Sequence, residues 1–239
     1  MNLNAKNFFG RNPLFEAINK NNTKIIELLI EYANQQKIIL KLNQENENGN
    51  YLLLLAISYN NIDIVQLFID YTNQHQIILE LNKDNKNGQY PLYWAIINNN
   101  IGIVKLLIDY ANHHQIILKL NEKNKNEDYP LYWAIFHNNI EMVKLLIDYT
   151  MQHQIILEWN EINKDGEYPL YWAICNENND LVKLLIDYTN QHHIILELNE
   201  KNKNGDYPLL KAIFNDNTEV IKLLIDYAKK SPSHYFGIE

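Results

Sequence analysis

Histidine is the residue whose placement first suggests chemistry. His75, His114, His153 and His192 recur at one spacing, and His113 and His193 stand beside two of them. Zinc would hold such imidazole nitrogens at about 2 Å. Equivalent positions in stacked helices lie about 8–10 Å apart, so single histidines from neighbouring helices do not meet on one ion. The column reads instead as polar groups near helix C-termini, where positive charge is favoured, and no metal is expected. Nucleophilic chemistry has as little to draw on. The serines are Ser58, Ser231 and Ser233, none in a Gly-x-Ser-x-Gly elbow, and neither a phosphate-cradling glycine loop nor a His-Glu-x-x-His motif occurs. Cys175 shares its column with Ser58, Ile97, Phe136 and Phe214 and reads as a small apolar side chain without a nearby cation to activate it. The expectation is a protein that is not an enzyme and carries no cofactor.

Aromatic residues form further columns, with Trp94, Trp133 and Trp172 each preceded by a tyrosine. Stacked rings of this kind bind bases or sugars when exposed, but single-strand binders pair them with a positive groove. Here 29 acidic residues outnumber 21 basic ones, the net charge is −8, and Arg11 is the sole arginine. A phosphate backbone would be repelled, so no nucleic acid is expected and a neutral or basic partner fits better. The tryptophans read as core between repeats, with blue-shifted fluorescence. Were they exposed, a module binding small molecules or glycans would be the alternative.

The elements that position these columns repeat strictly. The anchors Asn12, Tyr51, Tyr90, Tyr129, Tyr168 and Tyr207 fall 39 residues apart. Such periodicity means a stacked solenoid, because one repeat cannot bury its apolar face alone. From Tyr90, Pro91 suits the first turn of a helix, and Leu92, Ala95 and Ile96 recur at helical spacing. Asn98-Asn99-Asn100 interrupts as a turn, and Ile101, Val104, Leu107, Ile108 and Ala111 open a longer helix. Lys105 and Asp109, four apart on its other side, read as a solvated face. The following block Ile116 to Leu120 is too short for periodicity to arbitrate between a prolonged helix and an extended segment. Asn-Lys-Asn-Gly at 85–88 and 202–205 reads as turns, and the abundance of Asn, Ile and Lys reads as a bias of coding composition.

With 46% hydrophobic and 21% charged residues the chain is a folded one, and no run of about 18 apolar residues exists to span a bilayer. No membrane association is expected. Met1 to Lys6 lacks the apolar core of a secretory signal, and one cysteine forms no internal disulfide, which points to an intracellular, reducing home, cytoplasmic or nuclear. Glu16 and Lys211 replace the tryptophan column in the first and last repeats, as polar terminal faces would require. The array is expected over residues 1–230 as one domain, with a short tail at 231–239.

The motif Gly88-Gln89-Tyr90-Pro91-Leu92-Tyr93-Trp94-Ala95-Ile96, followed by Val104-Lys105-Leu106-Leu107, resembles the ankyrin repeat. Gly10-Arg11-Asn12-Pro13-Leu14-Phe15-Glu16-Ala17-Ile18 is nearer still, and the likeness covers residues from about 10 to 230. An ankyrin unit is about 33 residues long, so six extra residues stand in each repeat, most simply His113 to Leu118. They could deepen the apolar seam through Ile116, Ile117 and Leu118. Tyrosine replaces the family's threonine and histidine, and Asn99 stands where its inter-helix glycine usually is. The resemblance implies an all-α repeat solenoid of helix-turn-helix units with extended or hairpin fingers.

It also implies a non-enzymatic, monomeric scaffold that binds another protein on the concave face, between finger tips and the ends of the first helices. Mapped here, those helix ends are Asn19/Lys20, Ser58/Tyr59, Ile97/Asn98, Phe136/His137, Cys175/Asn176 and Phe214/Asn215. Tyr59, Ile97, Phe136, His137 and Phe214 are the candidate contacts, with Gln89, Asp128, Glu167 and Asp206 as an acidic rim that would hasten encounter with a basic partner. For Phe136 and Phe214 a packing role beneath the fingers is equally open.

Overall fold

The computed structural model describes residues 2–230; the expected tail at 231–239 lies outside them. Twelve helices follow one another among the described residues, in short and long pairs. They are α1 (Pro13–Asn19), α2 (Thr23–Gln35), α3 (Leu52–Ser58), α4 (Ile62–His75), α5 (Pro91–Ile97) and α6 (Ile101–His113), then α7 (Pro130–Phe136), α8 (Ile140–His153), α9 (Pro169–Cys175), α10 (Asn179–Gln191), α11 (Pro208–Phe214) and α12 (Thr218–Lys230). The chain forms two compact units, Met1–Asn124 and Lys125–Glu239, each a stack of three pairs. Proline at the start of α5, α7, α9 and α11 removes an N–H that no helix bond would use. Each long helix opens on an asparagine: Asn61 accepts from the Ile64 N–H, Asn100 from Ile103 and Asn178 from Leu181, at 3.0 Å each. Such a cap is worth about 1 kcal/mol.

The asparagine standing in place of the inter-helix glycine does the glycine's work. Asn60, Asn99 and Asn138 hold φ of 58°, 52° and 55°, a left-handed conformation that asparagine tolerates among L-residues. The segment after each long helix is extended, not a prolonged helix. Gln76, Gln115 and Gln154, all at φ 56°, turn the chain out of α4, α6 and α8. Of the inserted residues only part deepens the core: Leu118 is buried, Ile117 is 52% exposed and Ile116 lies between.

No β-strand forms among the described residues, so side chains must satisfy the extended segments. Asn43 Nδ2 donates to the Ile78 carbonyl at 2.7 Å while its Oδ1 accepts from the Glu80 N–H at 3.3 Å. Asn82 clasps Ile117 and Lys119 in the same way, at 2.6 and 3.1 Å, and in the second unit Asn160 clasps Ile195 and Glu197 at 2.6 and 3.0 Å. In the fingers, Asn46 Oδ1 accepts from the N–H groups of Asn48 and Asn50, and Asn163 Oδ1 from those of Asp165 and Glu167. At the first-helix ends, Asn98 donates to the Ile57 carbonyl and Asn176 to that of Ile135, both at 2.7 Å. The asparagine richness is thus structural, whatever the coding bias.

Tyrosines complete the ties. The hydroxyls of Tyr51, Tyr90 and Tyr129 donate to the carbonyls of Glu80, Glu122 and Glu161 at 2.6, 3.0 and 2.6 Å, in the segment leading to the next finger. From the long helices, Tyr71, Tyr110 and Tyr227 accept backward from the N–H groups of Leu40, Leu79 and Leu196. Tyrosine in place of the family's threonine therefore supplies both buried ring and long-range hydrogen bond. The last pair is less polar outside than Lys211 suggested: Ile213 and Ile225 are 54% and 43% exposed where Ile174 and Ile186 are 1% and 6%. Among the described residues no further helix covers α11 and α12.

One finger departs from its neighbours. Gly10, Gly49, Gly88, Gly166 and Gly205 hold φ between 72° and 83°, and Glu127 holds the same turn at φ 65°. Glu127→Gly should relieve that strain and stabilise the fold by about 1 kcal/mol, seen as a higher urea midpoint at unchanged slope. The tyrosine ties predict an alkaline limit. Burial first, then nearby carboxylates such as Glu122 beside Tyr90 and Glu161 beside Tyr129, push both hydroxyls well above their ordinary range. A raised folded pKa gives stability that is complete below the unfolded pKa of about 10 and lost progressively as pH rises from there through the folded value. The urea midpoint should fall above about pH 10, less steeply in Tyr90→Phe.

Candidate functional site

The short helices bring their C-terminal ends beside the fingers that precede them, and the expected contact residues sort into two groups. Tyr59 and Phe214 are exposed, at 43% and 69%. Ile97, Phe136 and His137 are half-buried. Asn98, Asn176 and Asn215, which share the His137 column, are engaged in backbone hydrogen bonds and so serve the stack. On the rim Gln89 accepts from Asn85 Nδ2 at 3.0 Å, Asp128 and Asp206 are partly exposed, and Glu167 is tied into the wall behind it.

In the first unit a cleft runs between finger and helices, lined by Asn48, Leu55, Ser58, Asn87, Gln89 and Trp94. In the second unit the equivalent region is an aromatic shelf. Phe136 lies edge-on to Trp133 at 5.1 Å and to Trp172 at 4.8 Å between ring centres, and stacks on Tyr132 at 6.0 Å. His137 tilts against Trp133 at 5.9 Å. Offset and edge-on rings within this distance attract one another, so Phe136 is held by packing while part of its surface stays open. Tyr132 is raised to about 12, by burial first, against a lowering hydrogen bond from Asn163, and then by Glu167, Asp128 and Asp165. The charges of Glu167, Asp128 and Asp165 all act on it in the same, raising direction.

The tryptophan column does not lie in the core. Trp94, Trp133 and Trp172 are each half-buried, and the large indole of the interior is Trp159, 1% exposed and packed on Tyr188. Spacing carried the signal: Trp94 and Ile97, Trp133 and Phe136, Trp172 and Cys175 stand three apart and share a helix face. Trp172 Nε1 donates to Glu167 Oε2 at 3.0 Å, and Asn163 Nδ2 donates to the same oxygen at 3.1 Å. One repeat earlier Asp128 is a methylene shorter, and the buried Trp133 Nε1–H has no partner.

The histidine column has a structural explanation of another kind. His75, His114, His153 and His192 tilt against Tyr71, Tyr110, Tyr149 and Tyr188 at 4.2–4.3 Å between ring centres, and His75 Nε2 lies 2.9 Å from Asn34 Oδ1. Among the described residues no three metal-ligating side chains converge. Burial pushes the Cys175 thiol up, against a smaller lowering by Lys211, so it is a poor nucleophile. No described helix is long and apolar enough to cross a membrane.

Stacked helical pairs joined by finger turns, with an open face beside them, define a repeat scaffold. The family model for ankyrin repeats (3 copies) matches residues 1–78, 36–118, 71–155, 110–195 and 150–234. The chain belongs to the ankyrin-repeat family, a scaffold fold not known for catalysis. Among solved structures it is similar to the ankyrin repeat protein EF0377, at 21% identity and TM-score 0.66 over 95% of this chain and 99% of that one. It is similar also to an ankyrin repeat domain from Acinetobacter baumannii AYE, at 19% identity and TM-score 0.65 over 90% and 97% of the two chains. The ankyrin repeat domain of Bcl-3, a member of the IkappaB family, follows at 20% and 0.62 over 91% and 86%. No curated protein matches.

Exposure separates the two phenylalanines. Phe214→Ala should change stability by no more than about 0.5 kcal/mol. Phe136→Ala, which opens the ring cluster, should cost about 2 kcal/mol, below the value for a fully buried phenylalanine because part of the ring is already in water. Urea unfolding of the two variants measures the difference.

Proposed function

We propose that this chain is a binding scaffold for another protein, engaged through the concave face between the fingers and the first-helix ends. The supporting observation is the half-open aromatic shelf of Trp133, Phe136 and Trp172 beside Asp128 and Glu167. Rings that are rigidly packed yet partly open lose little freedom on binding, and such anchors dominate interface energetics. Tyr59, Ile97, His137 and Phe214 contribute apolar and amphipathic contacts, and Gln89 extends the polar rim. The partner is neutral or basic, the chain acts as a monomer with its six repeats over 1–230 as one domain, and the setting is intracellular.

Small-molecule or glycan binding is the second reading, favoured by the partial exposure of the tryptophans. The acidic rim speaks for a protein, because carboxylates raise the rate of encounter with a basic surface. Affinity capture from lysate, with the intact chain beside a variant carrying polar residues at Tyr59, Ile97, Phe136 and Phe214 and verified as folded by circular dichroism, tests the assignment. A protein captured by the intact chain and lost with the variant is the expected result. Identical captures would remove the concave face from consideration.

A further inference from the structure

The second unit's shelf combines two features that select the same ligand chemistry. Its floor is aromatic: half-buried Trp133, Phe136 and Trp172, with Phe136 5.1 Å from Trp133 and 4.8 Å from Trp172 between ring centres. Its wall is anionic: Glu167 accepts from the Trp172 indole N–H at 3.0 Å, Asp128 holds the equivalent place one repeat earlier, and the charges of both raise the Tyr132 hydroxyl. An apolar ligand would strip water from these carboxylates without replacing it, at a cost in free energy. An anion would be repelled by them and by the negative ring faces. A flat cation satisfies both, lying on a ring while its N–H groups reach the carboxylates.

Resting on the reading of this face as a protein-binding one, we propose that the shelf receives arginine side chains of an extended, basic segment of the partner. Arginine fits better than lysine because the guanidinium is planar, weakly hydrated and able to bond a carboxylate through two N–H groups, whereas an ammonium is a compact, strongly hydrated charge. The carboxylates are not equivalent. Asn163 and Trp172 both donate to Oε2 of Glu167, which orients that carboxylate against the ring of Trp172. Asp128, a methylene shorter, holds the equivalent position one repeat earlier. Lys211 takes the next place in the tryptophan column and ends the aromatic floor with a positive charge. A guanidinium is thus favoured over the half-exposed Trp133–Phe136–Trp172 floor and repelled beyond it.

The test is titration of the intact chain with fluorescein-labelled dodecapeptides of alternating Arg/Ser, Lys/Ser and Glu/Ser, followed by anisotropy and tryptophan emission. Arg/Ser should bind, shift the emission, and exceed Lys/Ser by several-fold, with Glu/Ser unbound. Asp128→Asn with Glu167→Gln keeps both side-chain shapes and an acceptor for Trp172, and should weaken Arg/Ser by about tenfold. Trp133→Phe should weaken it by a smaller factor, since phenylalanine retains a poorer cation-binding face. Equal loss of Lys/Ser and Arg/Ser, or Arg/Ser binding untouched by the carboxylate changes, would overturn the proposal in favour of diffuse attraction to an acidic chain. Capture from lysate separates the two readings. A partner that depends on Phe136 but is not displaced by Arg/Ser overturns the arginine assignment and leaves the face standing; a partner indifferent to Phe136 overturns the face itself.

Discussion

The structure depends on satisfying backbone that has left the helix without entering a sheet. Between the end of each long helix and the next short one the chain runs extended past buried leucines such as Leu79, Leu81, Leu118 and Leu120. Buried N–H and C=O groups there cost free energy if left unpaired. Asparagine is suited to the task because one planar side chain both donates and accepts, so Asn43 or Asn82 takes a carbonyl and the N–H two residues on, as a neighbouring strand would. Tyrosine then anchors the segment from both sides, forward from Tyr51 to Glu80 and backward from Tyr110 to Leu79. Apolar burial supplies the drive toward stacking, and these hydrogen bonds fix the register in which stacking occurs.

That division explains the contrast between a well-specified frame and a variable face. The asparagine that clasps the extended segment recurs from repeat to repeat, as Asn4, Asn43, Asn82 and Asn160, because changing it leaves backbone polar groups unpaired. Positions that end a short helix have a looser constraint. Asn98 and Asn176 spend their side chains on a neighbouring carbonyl, whereas Tyr59, His137 and Phe214 do other things at comparable positions. Side-chain variety is thereby confined to a few positions on an otherwise repetitive surface, and in the second unit the aromatic shelf gathers several of them.

Much of this frame was legible in the residues. The 39-residue period, the Pro-Leu-x-x-Ala-Ile helix start and the asparagine turn gave the paired helices and the left-handed residue at Asn99. The extended path through Ile116 to Leu120 was not, because a short apolar run fits either conformation until its tertiary partners are known. Asparagine's role was hidden for a related reason: its partners are backbone atoms in another repeat, and backbone leaves no trace in sequence. The tryptophans pack between repeats as expected, Trp172 against Tyr132 and Phe136, but are only half-buried, and the pairing of Trp133 with Phe136 three residues on marks the side that stays open. Of the expected contacts, Tyr59, Ile97, Phe136, His137 and Phe214 do lie at the surface or half-way to it; which of them a partner touches is not written in residue types.

The inter-repeat clasps also decide how a chain of this kind can change length. They join residues separated by 29 to 41 positions, from Tyr51 with Glu80 to Asn98 with Ile57. A single added or deleted residue inside a repeat displaces every donor on one side of it from every acceptor on the other. A whole repeat added or removed by recombination leaves each donor facing an equivalent acceptor, since stability in such arrays is close to a sum over repeats and their nearest neighbours. Change of length in such an array is therefore quantised: whole repeats can be added or removed with the contacts of their neighbours kept, and single residues cannot.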